Sequence, residues 1–197
     1  MGKYAGRLST DVIGGSIDEL RLGVVEYTAA QAVVADADAL LDGQATAADE
    51  TTVVTTFLAQ PPFPRSITIL PGGTTEDVAA GDIVVAGTNI NDEAITEDVA
   101  ILANATEAVE TTKAYKTVTS ITFPIQDGAS ATFDVGYGDK LQFPFMSAIN
   151  IVLDAYLDGV REATFPAVTL DTDEIEKNTI DLNSALNGKV VRVVVVQ

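Results

Sequence analysis

The chain contains no histidine, no cysteine and no tryptophan. Histidine is the commonest general base, and cysteine is both a strong nucleophile and a preferred ligand of soft metals. Without cysteine there are no disulfide bonds, so the composition does not indicate the redox state of the compartment. We therefore expect no enzyme, no catalytic residue and no cofactor, and a protein that acts through its surface.

Sequence motifs for nucleophilic or phosphate chemistry are also missing. There is no GxSxG elbow, no SxxK pair and no glycine-rich phosphate loop. The Gly136-Tyr137-Gly138 triplet lies between apolar runs and is interpreted as a turn. Two acidic clusters could offer oxygen ligands to calcium, but neither has the spacing of an EF-hand loop, so we interpret both as solvated turns and expect no metal site. They comprise Asp36, Asp38 and Asp42, and Asp171, Asp173, Glu174 and Glu176.

Positive charge is scarce. Eleven Lys and Arg residues stand against 29 Asp and Glu residues, which gives a formal charge of −18. Such a surface repels phosphate backbones, so we expect no nucleic-acid partner. Lys113, Lys116 and Arg161 are either docking contacts for an anionic neighbour or local charge balance with Glu93, Glu97 or Asp98.

Long apolar runs are absent as well. No segment approaches the roughly 20 apolar residues of a membrane span, and the start of the chain has no signal-peptide core. We therefore expect no membrane partner and synthesis in the cytoplasm. Since 47% of the residues are hydrophobic, the composition suits a protein that buries surface against copies of itself or a larger partner.

From residue 51 onward, short apolar runs alternate with turn signals, which predicts an all-β fold, an antiparallel β-sandwich or barrel-like domain. The dipeptides Asp158-Gly159 and Asn187-Gly188 predict two tight hairpins. The very hydrophobic run at 189–196 is predicted to lie inside a sheet. The strands are predicted at 51–59, 65–70, 82–88, 93–102, 113–123, 131–137, 140–145, 148–157, 161–170, 179–184 and 189–196.

The first 50 residues have a different character. Ala and Asp dominate 29–50, and two-residue alternation is weak except at LRLGVVEY, 20–27. We divide the chain into an irregular N-terminal arm or accessory segment at 1–50 and a β-rich core domain at 51–197. A short Ala-rich helix at about 28–41 is the alternative. The arm is expected to order against a neighbouring subunit, with 20–27 adding a strand to another sheet.

Two blocks carry a resemblance to a known group of proteins. They are GDIVVAGTNINDEAITEDVAI at 81–101 with TKAYKTVTSITFP at 112–124, and IEKNTIDLNSALNGKVVRVVVV at 175–196. These blocks resemble structural proteins of the virions of tailed bacteriophages and prophages. Within that group the chain is most similar to a head decoration (cement) or capsid-surface protein.

The resemblance implies a non-enzymatic function, which is to decorate or cement the capsid surface through contacts between subunits. It implies the major capsid protein or other virion subunits as partners, and a homo-oligomer with a trimer favoured. The protein would be located in the virion after assembly in the host cytoplasm.

Two alternatives remain open. A phage tail-tube or neck protein would also be acidic and β-rich, because a DNA conduit benefits from an anionic lining. A glycan-binding head-fibre or adhesin-like module would need exposed aromatic side chains at loop tips. Tyr115, Tyr137 and Tyr156 are the candidates for that role, since tryptophan is absent.

Overall fold

The computed structural model describes residues 22–196 as a protein of strands and short turns. Within this range there is no α-helix, and two 3-10 turns lie at Thr75–Asp77 and Ile175–Lys177. The strands are β1 (Leu22–Tyr27), β2 (Asp36–Ala45), β3 (Thr52–Val54), β4 (Arg65–Gly73), β5 (Gly81–Thr88), β6 (Ala94–Ile101), β7 (Val109–Tyr115), β8 (Thr117–Phe123), β9 (Ala131–Gln142), β10 (Val152–Leu157), β11 (Val160–Arg161), β12 (Ala167–Thr169), β13 (Thr179–Asp181) and β14 (Val191–Val196).

The strands form three antiparallel sheets. The terminal sheet has the order β1-β14-β10-β11, and the hairpin sheet has the order β3-β8-β5-β6. The central sheet has the order β12-β13-β9-β4-β7, with β2 pairing β9 as well. This architecture confirms the predicted all-β, antiparallel class.

Two hydrophobic cores fill the space between these sheets. The first lies between the hairpin and central sheets, where the buried rings of Phe123 and Phe133 stack with their centroids 4.9 Å apart. The second lies under the terminal sheet, where Tyr27 meets Phe63 edge to face at 5.3 Å. Strand β9 contributes Phe133 to the first core and Leu141 to the second, so it links them.

Strand β9 corrects the predicted turn at Gly136-Tyr137-Gly138. The segment is continuous strand from Ala131 to Gln142 rather than two strands. The glycine at 136 is needed because β2 crosses there at close range, and a Cβ atom on it would lie 1.7 Å from the carbonyl oxygen of Asp36. The glycine therefore permits a close backbone approach instead of a chain reversal.

Of the two predicted hairpins, the one at Asp158-Gly159 is confirmed and the one at Asn187-Gly188 is wrong. Asp158 and Gly159 have φ angles of 53° and 77° and join β10 to β11, as predicted. Gly188 has a φ of 71°, but its turn leads from β13 in the central sheet to β14 in the terminal sheet, so the hairpin predicted at Asn187-Gly188 is wrong. Strand β14 lies between β1 and β10, in the sheet interior, as predicted.

The structure differs from the predicted boundary at residue 50. Strand β1 pairs with β14 and β2 pairs with β9, and Tyr27, Leu40 and Leu41 are buried in the two cores. Residues 22–50 are therefore ordered by pairing with strands of the same chain. They form neither the alternative helix at about 28–41 nor an arm that requires a neighbouring subunit. Residues 1–21 of the predicted arm lie outside the described residues.

Irregular pairing explains why the β2 strand was not predicted. Its register against β9 shifts twice, between Asp36 and Leu41 and between Leu41 and Gln44. Each shift breaks the two-residue alternation that identifies a strand in sequence. As a result the adjacent Leu40 and Leu41 are both buried.

The side chain of Arg65 binds the segment between β1 and β2 to the central sheet. Its side chain is fully buried and donates hydrogen bonds to the carbonyl oxygens of Gly138 (2.6 Å) and Val33 (3.1 Å). A guanidinium nitrogen lies 3.4 Å from a carboxylate oxygen of Asp139, and the guanidinium carbon lies 4.7 Å from the ring centroid of Tyr137. One buried cation thus joins the N-terminal segment, β4 and β9.

Replacement of Leu40 by alanine tests whether the N-terminal segment belongs to the core. We expect Leu40→Ala to lower the free energy of unfolding by about 2–5 kcal/mol, because it leaves a cavity in the first core. Val34→Ala is the control, since Val34 is 57% exposed, and should change it by less than about 0.5 kcal/mol. Urea denaturation measures both values. Equal effects would contradict the placement of β2 in the core.

Arg65→Ala should cost roughly 3–5 kcal/mol of unfolding free energy, because it removes one partner of a buried ion pair and leaves buried carbonyl groups without a donor. Arg161→Ala provides the comparison, since the Arg161 side chain is 69% exposed, and should cost about 1 kcal/mol or less. Thermal and urea unfolding of the two variants report the difference. Similar losses would show that the Arg65 contacts contribute little.

Candidate functional site

Segments 81–101, 112–124 and 175–196 meet at one place in the fold, together with Glu174, which directly precedes the third segment. The turn between β5 and β6 supplies Asn89 and Glu93, strand β7 supplies Lys113, and the 3-10 turn region supplies Glu174 and Glu176. We call these five residues the polar junction. It connects the hairpin sheet to the central sheet and to the segment that precedes β13.

Asn89 organises the turn at the start of the junction. The residue is 2% exposed, and its side-chain oxygen accepts hydrogen bonds from the backbone N–H groups of Asn91 (2.9 Å) and Glu93 (3.1 Å). Its side-chain nitrogen donates to carboxylate oxygens of Glu93 (3.0 Å) and Glu176 (3.3 Å). Both the oxygen and the nitrogen of the Asn89 side-chain amide therefore form hydrogen bonds within the chain.

Lys113 completes the junction with two ion pairs. Its ammonium nitrogen lies 2.6 Å from a carboxylate oxygen of Glu174 and 3.4 Å from one of Glu176. Burial lowers the pKa of Lys113, but these two carboxylates raise it more, so the net shift is upward. Glu176 is 5% exposed; Lys113 pairs with one of its carboxylate oxygens, and the Asn89 amide donates a hydrogen bond to the other.

Glu97 bridges two sheets beside the junction. It lies on β6 of the hairpin sheet, and its two carboxylate oxygens accept the backbone N–H groups of Thr112 (2.7 Å) and Lys113 (2.9 Å) on β7 of the central sheet. The bond to Lys113 uses its backbone and leaves the ammonium group for Glu174 and Glu176. Glu97 thus holds strands of two different sheets together.

The acidic cluster at 171–176 is engaged in a turn. The Asp171 carboxylate accepts the N–H groups of Asp173 and Glu174, both at 2.8 Å, and these bonds lower the pKa of Asp171. Hydrogen bonds from Lys113 and Lys177 lower the pKa of Glu174. In the other predicted cluster, a hydrogen bond with Asp36 and its charge raise the pKa of Asp38. Among residues 22–196 no group of three such side chains is arranged to hold a metal ion.

The three cations singled out from sequence all pair with carboxylates of the same chain. Lys113 binds Glu174 and Glu176, as described. Lys116 lies 2.7 Å from Asp92, and Arg161 lies 2.6 Å from Asp154. These contacts favour the interpretation as local charge balance, although the acidic partners differ from the predicted Glu93, Glu97 and Asp98.

A groove of about 380 Å³ opens beside the junction. Three of its carboxylates, those of Glu93, Glu174 and Glu176, already accept hydrogen bonds or ion pairs from Asn89 and Lys113. Most of the carboxylate groups that line the groove are therefore already paired within the chain. The residues that line it are Asn89, Asn91, Glu93, Ala94, Ile95, Met146, Asp173, Glu174, Ile175 and Glu176.

The tyrosines proposed for glycan contact have other roles. Tyr115 is buried, and its hydroxyl donates to the carbonyl oxygen of Val85 at 3.1 Å. Tyr137 lies beneath the Arg65 guanidinium, and the Tyr156 hydroxyl donates to Asp154 at 3.2 Å. Among residues 22–196 the exposed aromatic side chain is that of Phe165, at 52%, which was not one of the candidates.

Comparison of the chain with protein-family models, with curated proteins and with solved structures finds no match. None of the helical turns within residues 22–196 has the length and apolar character to cross a membrane. The candidate site therefore rests on the geometry of this chain.

Two central residues of these networks were missed in the sequence. Asn89 has a recognisable signal, because an Asn that precedes a polar turn between two strands commonly accepts hydrogen bonds from the following backbone. Arg65 has a weaker one, since it is a single cation at the start of an apolar strand. Neither signal predicts which residue, distant in sequence, accepts a hydrogen bond from the side chain. That residue is Glu176 for Asn89 and Val33 for Arg65.

Glu174→Gln should reduce the acid sensitivity of the fold. Because the pKa of Glu174 is lowered from its ordinary value of 4.5 in the folded state, its stabilisation is present above that value and is lost as the pH falls through the lowered pKa. We expect the variant to be less stable near neutral pH and to lose less unfolding free energy between about pH 6 and pH 3.

Urea denaturation across this pH range measures the effect. Glu107→Gln is the matched control, because Glu107 is exposed and makes no side-chain hydrogen bond among the described residues. A Glu174 variant whose pH profile runs parallel to that of the wild type would show that the ion pairs with Lys113 and Lys177 add no stability.

Proposed function

We propose that the protein is a non-enzymatic structural component of a tailed-phage virion, and that it decorates or cements the capsid surface. The observation that carries the proposal is the polar junction. Residues of the phage-like blocks bind one another in and beside this junction, as in the contact of Asn89 with Glu176 and, across two sheets, the contact of Glu97 with the backbone N–H of Lys113. Contacts of this kind stabilise the relative positions of the strands, and a structural component of a virion requires such stability.

The charge distribution also supports a role in assembly. Cations are few, and Lys113, Lys116 and Arg161 are paired within the chain, so the surface offers mainly carboxylates to its surroundings. Such a surface fits a protein partner better than nucleic acid. We propose the major capsid protein or other virion subunits as partners, a homo-oligomeric state as expected from the resemblance, and location in the virion.

Gold-labelled antibodies against the purified protein should mark the heads of phage particles released by cells that carry the gene. We expect labels distributed over the capsid surface in negatively stained micrographs, because a decoration protein occupies many equivalent sites. Particles from cells that lack the gene are the control for antibody specificity.

The position of the label decides between the candidates. Labels at the neck or along the tail would contradict capsid decoration and support the tail-tube or neck alternative. Labels confined to fibres would support the glycan-binding alternative. Purified particles that carry no label at all, from cells that produce the protein, would contradict a virion role.

A further inference from the structure

The outer face of the terminal sheet carries a patch of exposed apolar side chains. Leu22 and Val24 on β1 are 71% and 61% exposed. In the antiparallel register Leu22 is opposite Val196 and Val24 is opposite Val194, so the four side chains lie side by side on one face. Each of these β14 residues is partly exposed.

A bulge in β10 extends this patch to a third strand. The pairing of β10 with β14 shifts between Val152 and Asp154. As a consequence Val152 and Ala155 are both buried, while Leu153 between them is 48% exposed. Simple alternation would have placed Leu153 on the same side as Ala155, so the bulge turns an apolar side chain outward.

Charges on this face are balanced, unlike those of the chain as a whole. Arg192 donates to Glu26 at 2.7 Å, and Arg161 donates to Asp154 at 2.6 Å. Two cations and two carboxylates thus neutralise each other on a protein of formal charge −18. Two copies of such a chain repel each other through most of their surface, and this face lets them approach at low electrostatic cost.

The edge of the same sheet is suited to pairing. Strand β1 is bound to β14 in an unbroken register over six residues, and within the described residues no strand covers its other side. It contains no proline, no lysine and no bulge, which are the features that usually protect an edge strand. An unprotected regular edge offers backbone hydrogen bonds to another strand.

We propose that a second copy of this chain docks at this edge, with β1 of one copy antiparallel to β1 of the other about a two-fold axis, so that the exposed apolar side chains of the two β1 strands pack side by side. A register centred on Val24 places it opposite the partner's Val24 and keeps Leu22, Val24 and Glu26 on one face of the joined sheet. The Glu26 carboxylates then lie at opposite ends of the contact. The inference does not depend on a role in a virion.

The two-fold contact has a consequence for assembly. A trimer, which the resemblance favours, cannot be closed by this contact, because a two-fold interface joins copies in pairs. In a larger oligomer it would connect one unit to the next. Association through β1 should therefore give dimers or even-numbered assemblies.

Cysteine cross-linking tests the pairing directly, because the natural chain has no cysteine. In full-length Val24→Cys the two thiols face each other across the axis, where directly opposite Cβ atoms lie about 4.5–5.5 Å apart. A small approach of the two strands brings them to the separation of roughly 3.5–4.5 Å that a disulfide needs. Val53→Cys is the matched control, since Val53 is 58% exposed on β3, an edge strand of the hairpin sheet. Under mild oxidation we expect a covalent dimer from Val24→Cys and not from Val53→Cys.

Sedimentation velocity over a concentration series provides an independent readout. We expect the wild type to associate into even-numbered species, Val24→Lys to weaken that association at least about tenfold, and Val53→Lys to leave it unchanged. Circular dichroism and melting temperature verify that each exposed-site variant is folded.

Several results would overturn the proposal. They are a monomeric wild type at high micromolar concentration, equal cross-linking of the two cysteine variants, or association that Val24→Lys does not weaken. Deletion of residues 1–21 supplies a further test. If the chain dimerises only after this deletion, its own N-terminal segment occupies the β1 edge and the proposed contact does not form in the full chain.

Discussion

The buried guanidinium of Arg65 is the constraint on which the arrangement of the sheets depends. A fully buried cation is tolerated only when hydrogen bonds and a countercharge replace its hydration. Here Gly138, Val33 and Asp139 supply them, and Tyr137 covers the guanidinium. Burial lowers the pKa of Arg65 and raises that of Asp139, while their mutual attraction opposes both shifts.

The position of this residue connects its local chemistry to the whole fold. Arg65 begins β4, where it is opposite Tyr115 of the first core on one side and Leu141 of the second core on the other. Strand β9 continues through both cores and pairs with three strands. Residues 22–50 are therefore integrated with the sheets, and the two cores share a continuous backbone frame.

The polar junction solves a related problem near the same end of β7. Glu97 accepts backbone N–H groups of β7 from a strand of the neighbouring sheet, and Asn89 accepts those of its own turn. Lys113 neutralises the nearly buried Glu176. Such fully paired networks make an arrangement of strands specific and rigid, a property consistent with the structural role proposed above.

The all-β class, most strand positions and the Asp158-Gly159 hairpin can be predicted from the sequence, because they follow from alternation and from backbone preferences within a few residues. The roles of β2, Gly136, the turn at Gly188 and Leu153 emerge from the three-dimensional fold alone. Each depends on a partner distant in the chain: bulged pairing places β2 and Leu153, and the carbonyl of Asp36 requires Gly136. Local patterns do not specify such partners, because a strand's register and neighbour are set by packing over the whole fold.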